Sequence, residues 1–236
     1  MRAAAKVLSL KVLSAGLLAS AVAAAWANGG GEMSMPRSAP QSMPRVETPQ
    51  QQAREAYNDG VREVKKADKA QAAATEATEA GKKDKAAREA HERYAAALAR
   101  FKQATELDGT LYEAWNYVGY TNRKLGNYND ALPAYDKALS LKPGYGDALE
   151  YRGEAYLGLN RIPDAQQAYL DLYAGNRALA GKLLSALKSW VTAQRASPAG
   201  RSAPSLDELD KWIQERAQIA GQTAALTRAG TAASWR

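Results

Sequence analysis

The chain has 236 residues, no cysteine and one histidine, with 32 lysines and arginines against 25 acidic residues for a formal charge of +7. Without cysteine these residues form no disulfide and offer no thiol for lipid anchoring or nucleophilic catalysis. The charge excess favours solubility and anionic surfaces but is too modest to mark a nucleic-acid binder.

Arg2, Lys6 and Lys11 make a basic start free of acidic residues, and an apolar run from Val12 leads into an alanine-rich stretch. Ala25-Trp26-Ala27 puts small residues at the two positions a signal peptidase reads, which predicts an export signal over 1–27 cleaved after Ala27. The run from Val12 to Ala27 has 16 residues, short of the roughly 20 that span a bilayer, so no stable membrane span is expected after cleavage. The expected location is the bacterial periplasm or the medium, and loss of the three cations leaves a charge of +4.

Residues 28–48 read as a flexible linker. Gly29-Gly30-Gly31 opens it, and Pro36, Pro40 and Pro44 recur among Ser and Gln with no apolar face to fold on. Met33, Met35 and Met43 also lie here, and clustered thioethers suit Cu(I), so copper handling is an alternative role. No His or Cys stands beside them, and no metal or cofactor is assigned.

From Gln50 to Gln71 the spacing of Ala53, Tyr57, Val61 and Val64 predicts a helix. Residues 72–86 are alanine-rich and charged, with the weakest helical point at Gly81-Lys82-Lys83-Asp84. A second helix is expected from about Lys85 to Leu107, with Tyr94, Leu98, Phe101 and Ala104 on one face. The charge run in this lengthened pair reads as a solvated face.

Two shorter pairs follow. Leu111–Leu125 and Tyr128–Leu141 are joined at Gly126-Asn127 and ended by Pro143-Gly144. Asp147–Leu159 and Pro163–Tyr173 are joined at Asn160. Pro163 opens its helix, whereas Pro133 falls about one turn inside and removes a donor there. A further helix is expected from Arg177 to Arg195, with Leu179, Leu183, Leu187, Trp190 and Val191 on one stripe. After a loop over 197–204, Ser205 and Glu208 spell a capping box for a last helix that buries Leu206, Leu209, Ile213 and Ala217. Residues 176–228 are expected to cap the array, and 229–236 to form a disordered tail.

Ala97, Ala131 and Ala165 stand 34 residues apart, as do Phe101, Tyr135 and Tyr169, and Gly119 and Gly153. Such a period marks stacked units, each burying its apolar face against its neighbours. The unit with Trp115, Val118-Gly119, Ala131, Tyr135, Ala138 and Pro143 resembles the tetratricopeptide repeat family, departing at Asn122 where that family usually has Tyr. The next unit has Leu149 in place of Trp, then Gly153, Tyr156, Ala165 and Tyr169, and lacks the closing Pro. The preceding unit matches only through Ala97, Phe101 and Ala104. The resemblance implies an all-α helix-hairpin solenoid over 49–175, of about three repeats with a lengthened first one, plus a C-terminal capping pair.

In that family, binding usually occurs on the concave face lined by each unit's first helix. The resemblance thereby selects Asn116, Tyr120, Arg123 and Lys124 in one unit, and Asp147, Glu150, Glu154 and Leu157 in the next, as an exposed stripe. Some members grip a terminal carboxylate with Lys, Asn and Arg, but Tyr117, Asp147 and Tyr151 stand where that clamp needs amide or basic groups. The glycines, alanines and aromatics of the repeat itself are structural.

Catalysis finds no support. His91 has Ala87 and Ala95 one turn to either side, Glu92 points elsewhere on the helix, and no nucleophile elbow or phosphate-binding glycine loop is present. The expectation is a non-enzymatic periplasmic scaffold that binds a protein or peptide of the cell envelope. Association with anionic glycan or lipid stands beside copper handling as an alternative.

Overall fold

In the computed structural model, which describes residues 47–197 and 204–233, eight helices make up all the regular structure of the described residues. They are α1 (Pro49–Glu76), α2 (Ala80–Leu107), α3 (Tyr112–Lys124), α4 (Tyr128–Leu141), α5 (Gly146–Gly158), α6 (Ile162–Gly175), α7 (Arg177–Ala196) and α8 (Pro204–Ala233). The export signal, its cleavage site and the three linker methionines lie outside the described residues, as do 234–236. None of the described helices is long and apolar enough to cross a membrane.

Thr48 starts α1. Its hydroxyl accepts from the Gln51 N–H, and the Gln51 side chain accepts from the Thr48 N–H, closing a capping box in front of Pro49. The expected weak point at Gly81 is not where the hairpin turns. The break falls at 77–79, and Gly81 sits in the first turn of α2 with open space where a Cβ would be. Nor does Ser205 cap the last helix: α8 begins at Pro204, so Ser205 lies inside its first turn. The hydroxyl signal marks a helix start but falls two residues late. Pro133 stays within α4 on its exposed side, where the missing donor leaves no buried gap.

The 34-residue period reaches the turns. Gly126 has φ +82° and Asn160, one period later, has φ +59°. Behind the first, the Asn127 N–H donates to the Asn122 carbonyl at 2.8 Å and the Gly126 N–H to Arg123 at 3.0 Å. Behind the second, Arg161 donates to Tyr156 at 2.8 Å and Asn160 to Leu157 at 3.0 Å. Both are left-handed helix ends that satisfy the last carbonyls, a conformation glycine and asparagine tolerate best.

Adjacent helices pack in chain order, α1 on α2, α3 on α4 and α5 on α6. Ala97, Ala131, Ala165, Phe101, Tyr135 and Tyr169 are all buried. A Cβ on Gly119 would lie 2.5 Å from the Tyr135 ring, and one on Gly60 2.6 Å from Phe101. Gly60 is therefore the repeat glycine of the first pair. It falls out of register in the sequence because α1 and α2 each have 28 residues, against 13 and 14 in α3 and α4. Asn122, where the repeat pattern expects Tyr, is buried and donates its Nδ2 to the Val118 carbonyl at 3.0 Å.

Leu183 and Leu187 of α7 pack into one core with Leu157, Ala165 and Tyr169, and α8 adds Leu209 and Ile213. Ala217, expected on that buried face, is exposed, because beyond Ile213 the inward side of α8 passes through the half-buried Arg216, Ala220 and Thr223, the last accepting from the Tyr173 hydroxyl at 3.1 Å, while Ile219 and Leu226 are exposed.

Candidate binding groove

The first helices of successive pairs lie directly against one another, α3 on α5 and α5 on α7. No comparable contact joins α2 to α4 or α4 to α6 among the described residues. The stack therefore curves with its first helices on the inside, and α3 and α5, which carry the candidate site residues, lie on that side.

Aromatic rings line it. Tyr117 stacks on Phe101 with centroids 4.8 Å apart and meets Tyr57 edge-on at 5.7 Å and Tyr120 at 5.9 Å. Tyr120 meets Tyr94 at 6.3 Å and Tyr151 at 5.1 Å, so one run of rings joins α1, α2, α3 and α5. Burial pushes the Tyr57 phenol up to about 12, with Tyr117 adding to it, and Tyr151 up to about 12, with Glu150 and Asp147 adding. These hydroxyls act as neutral donors at any physiological pH.

Arg123 sits between two of these rings, 5.3 Å from the centroids of both Tyr120 and Tyr151, and forms an ion pair with Glu154. Its side chain is 14% exposed and that of Glu154 25%. Burial alone would lower the guanidinium's pKa, and Glu154 and Tyr135 more than offset it. A charge this enclosed is kept by its partner, because a lone buried guanidinium would cost several kcal/mol. Lys124 lies over Tyr94 and Tyr120 at 5.4 and 5.8 Å, and burial, with Arg123 beside it, pulls its pKa down.

The eight expected residues divide. Tyr120, Arg123, Lys124 and Glu154 form one cluster, and Asp147 is half-buried on the same face. Asn116 and Glu150 are 2% and 4% exposed, so they form the groove's floor and not an exposed stripe. Burial, then Glu154, pushes the Glu150 carboxyl up to about 6, against the opposing fields of Lys182 and Arg123. Leu157 belongs to the hydrophobic core with α6 and α7 and is corrected to a packing residue.

The stripe omits Tyr117 and Tyr151, which stand one residue after Asn116 and Glu150 and keep the same 34-residue spacing that could have found them. It also omits Asp68, whose Oδ1 accepts from Tyr94 at 2.5 Å and from Tyr120 at 2.9 Å. Asp68 lies in the lengthened helix, where no repeat register points to it.

The model of the tetratricopeptide repeat family matches residues 112–145, which cover α3, α4 and the loop after them. The chain is also similar to the Hsp70-Hsp90 organizing protein of Triticum aestivum, 31% identical over 116 residues, or 45% of this chain and 20% of that protein. The chain thus matches about a fifth of the length of that relative.

Proposed function

We propose, from the premise that the chain is a tetratricopeptide repeat protein, that its inner face holds an extended segment of a protein partner. Repeat arrays of this kind are interaction scaffolds, and their function rests on a surface and not on a reactive group. The observation that carries the reading is the groove floor, where Asn116 is buried with its Oδ1 unpartnered on the helix that carries Tyr117 and Tyr120. A backbone or side-chain donor from a ligand would satisfy that oxygen, and the rings supply apolar area with polar edges, the composition typical of interaction hot spots. Tyr117, Asp147 and Tyr151 stand where a terminal-carboxylate clamp needs amide or basic groups, so an internal segment suits the face better than a C-terminal carboxylate.

The basic start, short apolar run and Ala25-Trp26-Ala27 support export, so the proposed location is the periplasm and the proposed partner an envelope protein. A photo-cross-linking residue at position 147, on the groove, should capture a protein in the envelope fraction. The same residue at position 137, exposed on α4, should not. Equal capture from both, or none from 147, contradicts the proposal.

A further inference from the structure

The floor between α3 and α5 carries more acceptors than donors, and of its carboxylates Asp147 takes a hydrogen bond from the Tyr145 hydroxyl. Asn116 Oδ1 has no hydrogen-bond partner, and neither has the buried Glu113 Oε2 one turn earlier on the same helix. Glu150 occupies the position one repeat after Asn116, on the adjacent helix, and is 4% exposed. Asp147 lies one turn before it, close enough that its charge raises the phenol pKa values of Tyr117 and Tyr145 after burial has done so. Glu113 and Asn116, one turn apart on α3, and Asp147 and Glu150, one turn apart on α5, thus stand on two helices in direct contact.

The cations around that stretch are already engaged or solvated. Arg123 is paired with Glu154. Lys142 donates to the Tyr112 hydroxyl at 2.8 Å and lies 4.3 Å from the Tyr112 ring and 5.2 Å from that of Tyr145. Lys182, on α7, is exposed, so water screens its pull on Glu150. Buried acceptors left unpaired cost about 1–3 kcal/mol each, a cost that an incoming donor relieves. A carboxylate ligand would add acceptors and repulsion. A guanidinium or ammonium group would supply donors and charge together.

The surface already shows how it holds cations, since Arg123 and Lys142 each lie against a pair of tyrosines. Tyr117 and Tyr151 follow Asn116 and Glu150 in the sequence, and Tyr151 already lies against Arg123, so the stretch borders a ring that packs on a cation. We infer that the Glu113–Asn116 and Asp147–Glu150 stretch is a subsite for a lysine or arginine side chain of the bound segment. This rests on the scaffold reading above and gives it a chemical preference.

The test is selection of capped random decapeptides on the immobilised full chain. Because the chain carries +7, and +4 without residues 1–27, its overall field favours anionic peptides, so any preference for cations must come from a local site. Lysine and arginine should be enriched at least about fivefold at one position, and Glu150→Gln should remove that enrichment. Asp147→Asn provides a second variant, and both should melt no lower than the parent. Peptides that lose binding when position 147 is replaced by tryptophan, yet show no cation enrichment, would overturn the subsite and leave the scaffold standing. Peptides indifferent to that replacement, or none selected above an unrelated control protein, would overturn both.

Discussion

The Tyr120 hydroxyl on α3 donates to the Asp68 carboxylate on α1, 2.9 Å away and 52 residues earlier in the chain. Tyr94 of α2 donates to the same oxygen at 2.5 Å, so one carboxylate ties the lengthened first hairpin to the groove wall. Burial and Asp68 both raise the Tyr120 and Tyr94 phenols above their ordinary range.

Replacing Asp68 with alanine leaves two phenols without their acceptor. Hydrogen bonds to a charged group contribute about 1.5–3 kcal/mol, so a loss of about 2 kcal/mol is expected in urea unfolding. In an alkaline titration followed by tyrosine absorbance, Tyr94 and Tyr120 should ionise earlier in the variant. A change below about 0.5 kcal/mol would show that the link is not structural.

Gly60→Ala and Gly119→Ala test whether the first pair is a true repeat. Each added methyl would meet a fully buried ring at 2.6 or 2.5 Å. Overpacking of that kind costs about 1–3 kcal/mol, and both variants should fall in that range. Gly81→Ala meets open space and should instead stabilise slightly, by up to about 1 kcal/mol from helix propensity.

Glu154→Gln removes the anion that neutralises Arg123. Leaving an enclosed guanidinium without its partner should cost about 3 kcal/mol, with the groove helices α3 and α5 losing hydrogen-exchange protection first. Retention of full stability would mean that Tyr120 and Tyr151 alone hold the charge.

Glu150 gives a pH dependence with a definite sign. Its carboxyl stands at about 6 in the folded chain against an ordinary 4.5. The folded state therefore holds a proton between those values that the unfolded state has released. This group's penalty is fully present above about pH 6 and is relieved as pH falls toward 4.5. Glu150→Gln should raise stability at pH 7 by about 1–2 kcal/mol and make no difference near pH 4. Thermal unfolding at both pH values checks this, and a destabilised variant at pH 7 would contradict it.

Much of this was legible because the period of 34 fixes both the glycine–aromatic contact of Gly119 with Tyr135 and the left-handed turns at Gly126 and Asn160. It was not legible at Gly60, since doubling both helices of the first pair shifts the glycine out of register while leaving its contact with Phe101 intact. On the groove, helical spacing placed Tyr120, Arg123 and Glu154 on one face but could not foretell depth. Asn116 and Glu150 occupy equivalent positions and look solvated in sequence, yet both are almost fully buried. Leu157 takes the position of Arg123 one repeat later. There α7 covers the surface and converts it to core.

Hydrogen exchange of the full chain, alone and with the protein captured by cross-linking at position 147, tests the central claim most directly. Added protection in 112–124 and 146–158 is the expected result. Protection confined to α4, α6 or α8, with α3 and α5 unchanged, would contradict binding on the inner face.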